Sequence, residues 1–185
     1  CWRGWRGPAA CVRYMMAVRE NEAAVSEPNF PGRMIGRATF ESALAAAAGA
    51  AGADCGFGAV FDNMSPDGRV QLNDGTIIRA NVIIGADGPR SRVGRALGQI
   101  NRHVVETRQV TVSLITPNES TAIFLSADIV GGYGWLFPKG VNAHLCVGVA
   151  PYAKGRLKSI LDHLHSLFVT QRRLGKDIPR PNGTP

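Results

Sequence analysis

Residues 81–97 constrain this chain most. Asn81–Gly85 has a continuous apolar core, Val82-Ile83-Ile84, that enters Gly85-Ala86-Asp87-Gly88-Pro89, and Ser91-Arg92-Val93 then opens a helix that ends near Leu97 and Gly98. A short apolar run without alternation suits a parallel strand covered on both faces. Strand, small-residue turn and helix in that order make an α/β unit, and such units bind ligands beyond the carboxyl ends of their strands, where Asp87 falls. Gly85 and Gly88 let the backbone approach a ligand closely. Ser91 is placed to cap the helix. The first N–H groups of that helix suit a phosphate, and a carboxylate at position 87 suits a ribose or ribityl hydroxyl. The same residues also read as an ordinary β-turn-α connection, with Asp and Gly as turn formers. Spacing alone leaves both readings open.

Upstream, Ala38 to Ala51 is almost entirely strong helix formers, with Phe40, Leu44 and Ala47 or Ala48 on one face and Gly49 and Gly52 at its end. Gly58–Phe61, Arg69–Leu72 and Thr76–Arg79 read as strands. Pro66-Asp67-Gly68 and Asn73-Asp74-Gly75 separate them, which predicts an antiparallel meander. Before the helix the signals are weak. The WRGWRG start has low complexity and is expected to be disordered, Cys11–Val18 alternates like a strand, and Pro28 with Pro31-Gly32 predicts a turn.

After Asn101 the pattern changes. Val104–Ile115, Ala122–Ala127, Tyr133–Phe137 and Leu145–Val149 all read as strands with no helix between them, which predicts a second, antiparallel sheet. Lys154–Val169 follows as an amphipathic helix with Leu157, Ile160, Leu161, Leu164 and Leu167 or Phe168 on its apolar side. The end, 180–185, reads as extended and turn-rich. The expected division is a poorly defined segment over 1–32, a partial cofactor domain over 33–100, and a substrate sheet with its flanking helix over 101–185.

Composition narrows the function classes. The 185 residues are 45% hydrophobic and 19% charged, which is globular, and the formal net charge is +7. A basic balance favours an anionic partner. The arginines are scattered and never interleave with aromatics, so nucleic-acid binding is not expected. Cys1, Cys11, Cys55 and Cys146 have no metal-ligand spacing and read as reduced thiols of a cytoplasmic protein. No apolar run is long enough for a membrane helix. His103 and His144 stand isolated, and His163 and His165 face different ways on the predicted helix. No nucleophile triad or carboxylate pair appears, as suits chemistry carried by a cofactor. A first residue of Cys rather than Met leads to the expectation of a partial chain.

The sequence Gly85-Ala86-Asp87-Gly88-Pro89-Arg90-Ser91-Arg92-Val93 resembles the Asp-Gly motif of FAD-dependent aromatic hydroxylases and geranylgeranyl reductases. There the Asp-Gly is followed by two variable residues, Ser, two more and Arg. Asp87, Gly88 and Ser91 match; Gly94 stands where the arginine is usual and Arg95 comes one residue later. Gly36-Arg37-Ala38-Thr39-Phe40-Glu41-Ser42-Ala43-Leu44 resembles the family's helix with an arginine at its start, with Glu41 in place of Asp. Gly132-Tyr133-Gly134-Trp135-Leu136-Phe137-Pro138-Lys139 resembles the Tyr-x-Trp-x-Phe-Pro-Lys signature of geranylgeranyl reductases. The strand that follows keeps Val147-Gly148 of the family's Asn-Val-Gly, with Cys146 in place of Asn.

The resemblance covers about Arg33 to Val169. It implies an α/β fold: part of a Rossmann-like FAD/NAD(P)-binding domain joined to an antiparallel substrate-binding sheet. It implies FAD as cofactor and NAD(P)H or another reductant as electron donor. Arg37, Gly85, Asp87, Gly88 and Ser91 would lie at the flavin. Tyr133, Trp135, Phe137 and Pro138 would line the pocket of an isoprenoid or lipid substrate, whose carbon–carbon double bonds would be reduced. A lipid substrate implies a cytoplasmic protein at the periphery of a membrane. From the residues alone, Arg37 also reads as a solvated helix-start arginine, and the aromatic run as a core stripe. The family's Gly-x-Gly-x-x-Gly loop and its later Gly-Asp motif find no match here. Two other functions stay open: a flavin monooxygenase or halogenase of an aromatic or polyketide, and a non-catalytic flavoprotein remnant.

Overall fold

The computed structural model describes residues 9–19 and 25–177. In chain order the elements are β1 (Ala9–Arg19), β2 (Val25–Ile35), α1 (Arg37–Ala50), β3 (Phe61–Met64), β4 (Arg69–Leu72), β5 (Ile77–Arg79), α2 (Arg92–Ala96), β6 (Glu106–Ser113), β7 (Ser120–Leu125), β8 (Gly134–Lys139), β9 (Asn142–Val149), a 3-10 segment (Pro151–Arg156) and α3 (Leu157–Thr170). They form two compact units. One comprises the described residues up to Ser42 together with those from Val105 onward; the other is Ala43–Val104. The WRGWRG start and the segment 180–185 lie outside the described residues.

The first unit is built on a six-stranded sheet in the order β2-β1-β7-β8-β9-β6. All neighbours are antiparallel except β1 and β7, which run parallel from Tyr14 beside Ser120 to Arg19 beside Leu125. The sheet is therefore mixed, not the purely antiparallel one expected from residues after Asn101. The turn expected at Pro28 and Pro31-Gly32 is a bulge inside β2: the register passes from Val12 opposite Gly32 to Tyr14 opposite Pro28. β2 is an outer strand, and prolines are tolerated there because one side of the ladder has no partner to lose.

Helix α3 covers one face of this sheet. The core holds Val110 and Val112 from β6, Ala122 and Phe124 from β7, Leu136 from β8, and Leu145, Val147 and Val149 from β9. Ile160, Leu161, Leu164 and Phe168 from the helix complete it. The apolar side expected for this helix is the buried one. His165 is buried with it, and its Nε2 has no hydrogen-bond partner among the described residues. Gly134 lets helix and sheet approach: a Cβ on it would lie 2.6 Å from Leu164 Cδ1 and 3.4 Å from Phe124 Cβ.

The second unit carries the meander in the order β3-β4-β5. Its turns close on Gly68 (φ +83) and Gly75 (φ +86), which occupy the left-handed region where glycine is favoured. The middle strand lies where the sequence places it. The first begins at Phe61 rather than Gly58, because the Val60 N–H donates to Asn73 Oδ1 (3.0 Å) instead of joining the ladder. The parallel strand expected over Asn81–Gly85 does not form. Among the described residues no strand runs beside it, and Val82 (76%) and Ile84 (83%) are exposed. A parallel strand is defined by its neighbours, so an apolar run without one stays irregular.

Helix α1 forms where its composition predicts, yet none of its residues is buried and Leu44 is exposed. Its run of alanines gives it high helix propensity.

Leu164 is 1% exposed in the interface between helix and sheet. Leu164→Ala is expected to lower the unfolding free energy by about 2–5 kcal/mol, measured by urea denaturation followed by circular dichroism. The solvent-facing Leu125→Ala is the control expected to stay within about 0.5 kcal/mol.

Candidate functional site

Four of the residues singled out by the sequence meet at one turn. Gly85 packs so closely on α2 that a Cβ there would lie 3.0 Å from Val93 Cβ, and Gly88 has φ +85. Ser91 is the N-cap of α2, its hydroxyl accepting from the Gly94 N–H at 2.7 Å, as expected. The helix N-terminus is not free for a phosphate, however. The Asp87 carboxylate occupies it, accepting from Arg92 N (2.6 Å) and Val93 N (3.3 Å) at Oδ2, while the Ser91 hydroxyl donates to Oδ1. The Ser91 hydroxyl, followed by the two amides, holds the Asp87 carboxyl below the usual carboxylate range.

This bonding bears on whether the turn suits a flavin nucleotide. A carboxylate has about four acceptor sites. Two at Oδ2 and one at Oδ1 are taken, so one site on the exposed Asp87 stays open to a hydroxyl. The turn fits a ribose or ribityl hydroxyl at Asp87 and does not offer α2 amides to a diphosphate.

Arg37 begins α1 and pairs with Glu41 one turn on (2.5 Å), with side chains 88% and 55% exposed. In this structure it is solvated at the helix start, and such a pair contributes little to stability.

The aromatic run lies in the other unit, on the sheet face opposite α3. Tyr133 and Trp135 stack with ring centroids 5.4 Å apart, tilted by 53°, and Trp135 and Phe137 at 6.1 Å and 40°. These spacings suit favourable tilted aromatic pairs. Trp135 and Phe137 are half-buried and Tyr133 is exposed, so the run is a surface ladder rather than a core stripe. Pro138 does not join it. It is buried, on the side of the strand that carries Leu136, opposite Ala143. Its missing N–H would face β7, whose pairing with β8 ends at Leu136, so no ladder bond is lost.

Two features near the ladder escaped the sequence. A Cβ on Gly132 would lie 2.1 Å from the Gly148 carbonyl oxygen, so only glycine lets the chain enter the ladder there. On the same face as Trp135 and Phe137, the pairing of β6 with β9 gathers Gln109, Thr111, His144 and Cys146. Their alternate spacing, 109 with 111 and 144 with 146, was visible, but only the register brings the pairs together. On the helix side, a cleft of about 200 Å³ is lined by Phe124, Asp128, Ile129, Arg156, Ile160 and Leu164 among others, with an Arg156–Asp128 ion pair at 2.6 Å. It is smaller than the usual range for a cofactor or lipid pocket. Among the described residues no cluster of metal-ligating side chains occurs, and no helix is long and apolar enough to cross a membrane.

The mixed α/β architecture is similar to that of solved Rossmann-like FAD-binding flavoproteins. The chain has a likeness to a probable FAD-dependent monooxygenase from Pseudomonas aeruginosa (TM-score 0.59, 21% identity, covering 91% of this chain and 50% of that one), and this shows the fold alone. Within that class it is similar to geranylgeranyl reductases. It is 37% identical over 90 residues to digeranylgeranylglycerophospholipid reductase 1 of Methanococcoides burtonii, covering 45% of this chain and 22% of the relative. A geranylgeranyl bacteriochlorophyll reductase-like protein from Thermoplasma acidophilum superposes with a TM-score of 0.68 at 25% identity, covering 84% of this chain and 45% of that one. The chain thus spans less than half the length of these two proteins. No protein-family model matches it.

The Asp87 bonding carries a pH prediction. Its folded pKa is depressed, so its contribution is present above the unfolded value, about 3.9, and is lost as pH falls through the lower folded value. Amide exchange at Arg92 and Val93 is expected to lose protection below about pH 4. In Asp87→Asn that protection should be reduced already at neutral pH and should show less acid dependence, as read by hydrogen exchange NMR.

Proposed function

We propose that this chain is part of an FAD-dependent oxidoreductase that reduces carbon–carbon double bonds of a prenyl chain in a lipid. The ladder of Tyr133, Trp135 and Phe137 carries the reading: three tilted rings in a row, Tyr133 exposed and Trp135 and Phe137 half-buried, form an apolar track, which suits a linear chain of methyl-branched isoprene units better than a compact aromatic. The likeness to relatives named as geranylgeranyl reductases supports the same choice.

When bound, FAD reduced by NAD(P)H or another donor would supply the hydride for the double bond. Asp87 would hold a flavin-side hydroxyl at its open acceptor site, with Gly85, Gly88 and Ser91 keeping the turn in shape. Arg37, exposed and paired with Glu41 at the start of α1, would present its cation to the cofactor. Trp135 and Phe137 would exclude water from the prenyl chain, and Tyr133 would form the open end of the track. Pro138 would act on the pocket only indirectly, by ending the β7–β8 ladder. A lipid substrate would place the protein at a membrane surface, which the net charge of +7 favours if the lipids are anionic.

The test joins a spectrum to product analysis. Addition of the chain to FAD is expected to shift the flavin visible bands, and reduced flavin with a geranylgeranyl lipid is expected to yield a product that has gained hydrogen pairs. An oxygenated or halogenated product would replace this reading by the monooxygenase one. Absence of flavin binding would make this chain, by itself, a non-catalytic remnant. Trp135→Ala is expected to raise KM for the prenyl substrate on the order of tenfold, about the worth of one lost aromatic contact, with flavin binding unchanged.

A further inference from the structure

The polar group beside the ladder has a defined proton arrangement. Gln109 lies opposite Cys146, Thr111 opposite His144, and Phe137 opposite His144 on the other flank. The Cys146 thiol is 1% exposed and donates to Gln109 Oε1 at 2.9 Å. Burial pushes this thiol up to about 12, so it keeps its proton and remains a donor. That bond fixes which end of the Gln109 amide is oxygen. The NH2 end then points at His144 Nδ1, 3.4 Å away, and the Thr111 hydroxyl lies 3.3 Å from the same atom. An amide nitrogen only donates. His144 Nδ1 must therefore accept, and the ring carries its proton on Nε2. Burial and then the charge of Lys139 lower the imidazole pKa and favour this neutral form. Among the described residues nothing accepts the Nε2–H.

We infer that His144, set by Gln109 and Cys146, presents its Nε2–H as a specificity-determining donor to an uncharged oxygen carried at the end of the apolar chain that lies along Trp135 and Phe137. The inference rests on the prenyl-substrate reading proposed above and adds to it the kind of group that must accompany the chain. A neutral donor beside an aromatic track selects an acceptor without a charge: an alcohol or ether oxygen, or the carbonyl of a prenylated quinone. A carboxylate or phosphate would be drawn to the Lys139 cation, whose charge reaches His144, rather than to this neutral donor.

The test has two arms on the 185-residue chain. In the first, long-range ¹H–¹⁵N spectra of ¹⁵N-histidine-labelled protein are expected to show His144 with Nδ1 unprotonated and Nε2 protonated at neutral pH. Gln109→Glu replaces the donor by an acceptor and is expected to protonate Nδ1. An Nδ1–H tautomer in the unaltered chain overturns the inference. In the second, binding of geranylgeraniol, a prenylated quinone and an oxygen-free prenyl hydrocarbon of matched length is followed by Trp fluorescence. Both oxygen-bearing probes should bind about tenfold tighter than the hydrocarbon, the worth of one good hydrogen bond. His144→Phe should abolish that difference, and His144→Gln, whose amide NH2 reaches the place of Nε2, should restore it. A preference for the alcohol over the quinone, or the reverse, identifies which oxygen the site takes. Equal binding of all three probes to the unaltered chain overturns the inference and leaves the prenyl reading standing. Failure of every prenyl probe to bind overturns both.

Discussion

The approach of α3 to the sheet at Gly134 decides the rest of the first unit. Side chains alternate along a strand, so burying one face of β8 sends the other set outward. With no Cβ at Gly134, Leu164 and Phe124 close over the strand, and Leu136 enters the core beside Leu145 and Val147. Trp135 and Phe137 then have nowhere to go but the opposite face. The ladder is thus a consequence of core packing and needs no separate stabilisation. A larger residue at position 134 would push on the helix, and a register slip of one residue would move every ring into the core.

The Asp87 turn shows how a motif placed by its spacing can carry a structural role as well. Sequence spacing put an acidic residue, two glycines and a capping serine around a helix start, and all four meet there. The acid, however, serves the helix: its carboxylate takes the amides that a phosphate would need. A five-residue helix has few bonds of its own, so it gains more from such a cap than a long helix would. The consequence is a hydrogen-bonded turn with one acceptor site to spare. That division leaves an open acceptor at the turn while the Arg92, Val93 and Gly94 amides are taken.

Much of the fold was legible, for physical reasons that differ by element. The helices were visible in composition (α1) or in 3.6-residue periodicity (α3), both local properties. The meander was visible because its turns demand glycine at Gly68 and Gly75. The mixed character of the main sheet was not, because the pairing of β1 with β7 is a contact between distant segments that leaves no local mark. Pro28 and Pro31 look alike in a turn and in an edge bulge, and only the position of β2 in the sheet separates the two. Val82 to Ile84 has the composition of a covered strand, but composition states a need for neighbours and does not supply them. Of the candidate site, the turn and the ladder were readable; the Gln109–His144–Cys146 group was not, since it exists only in the β6–β9 register.

Cys146 shows what that register adds. By resemblance, a cysteine in place of asparagine removes a polar contact from the strand, and a buried thiol ordinarily behaves as a small apolar group. Here the residue opposite is Gln109, whose amide has an oxygen and a nitrogen end and no preference of its own between two orientations. A thiol that keeps its proton in this environment donates and is at most a weak acceptor, so the oxygen turns toward it and the nitrogen away. The orientation of one amide then fixes the tautomer of the histidine beyond it. Serine at this position would be the stronger donor but would bring two acceptor lone pairs to satisfy, and alanine would leave the amide free to turn over. The thiol's weakness as a hydrogen-bonding group is therefore what suits it to this position: it has one proton to donate and little further demand to satisfy.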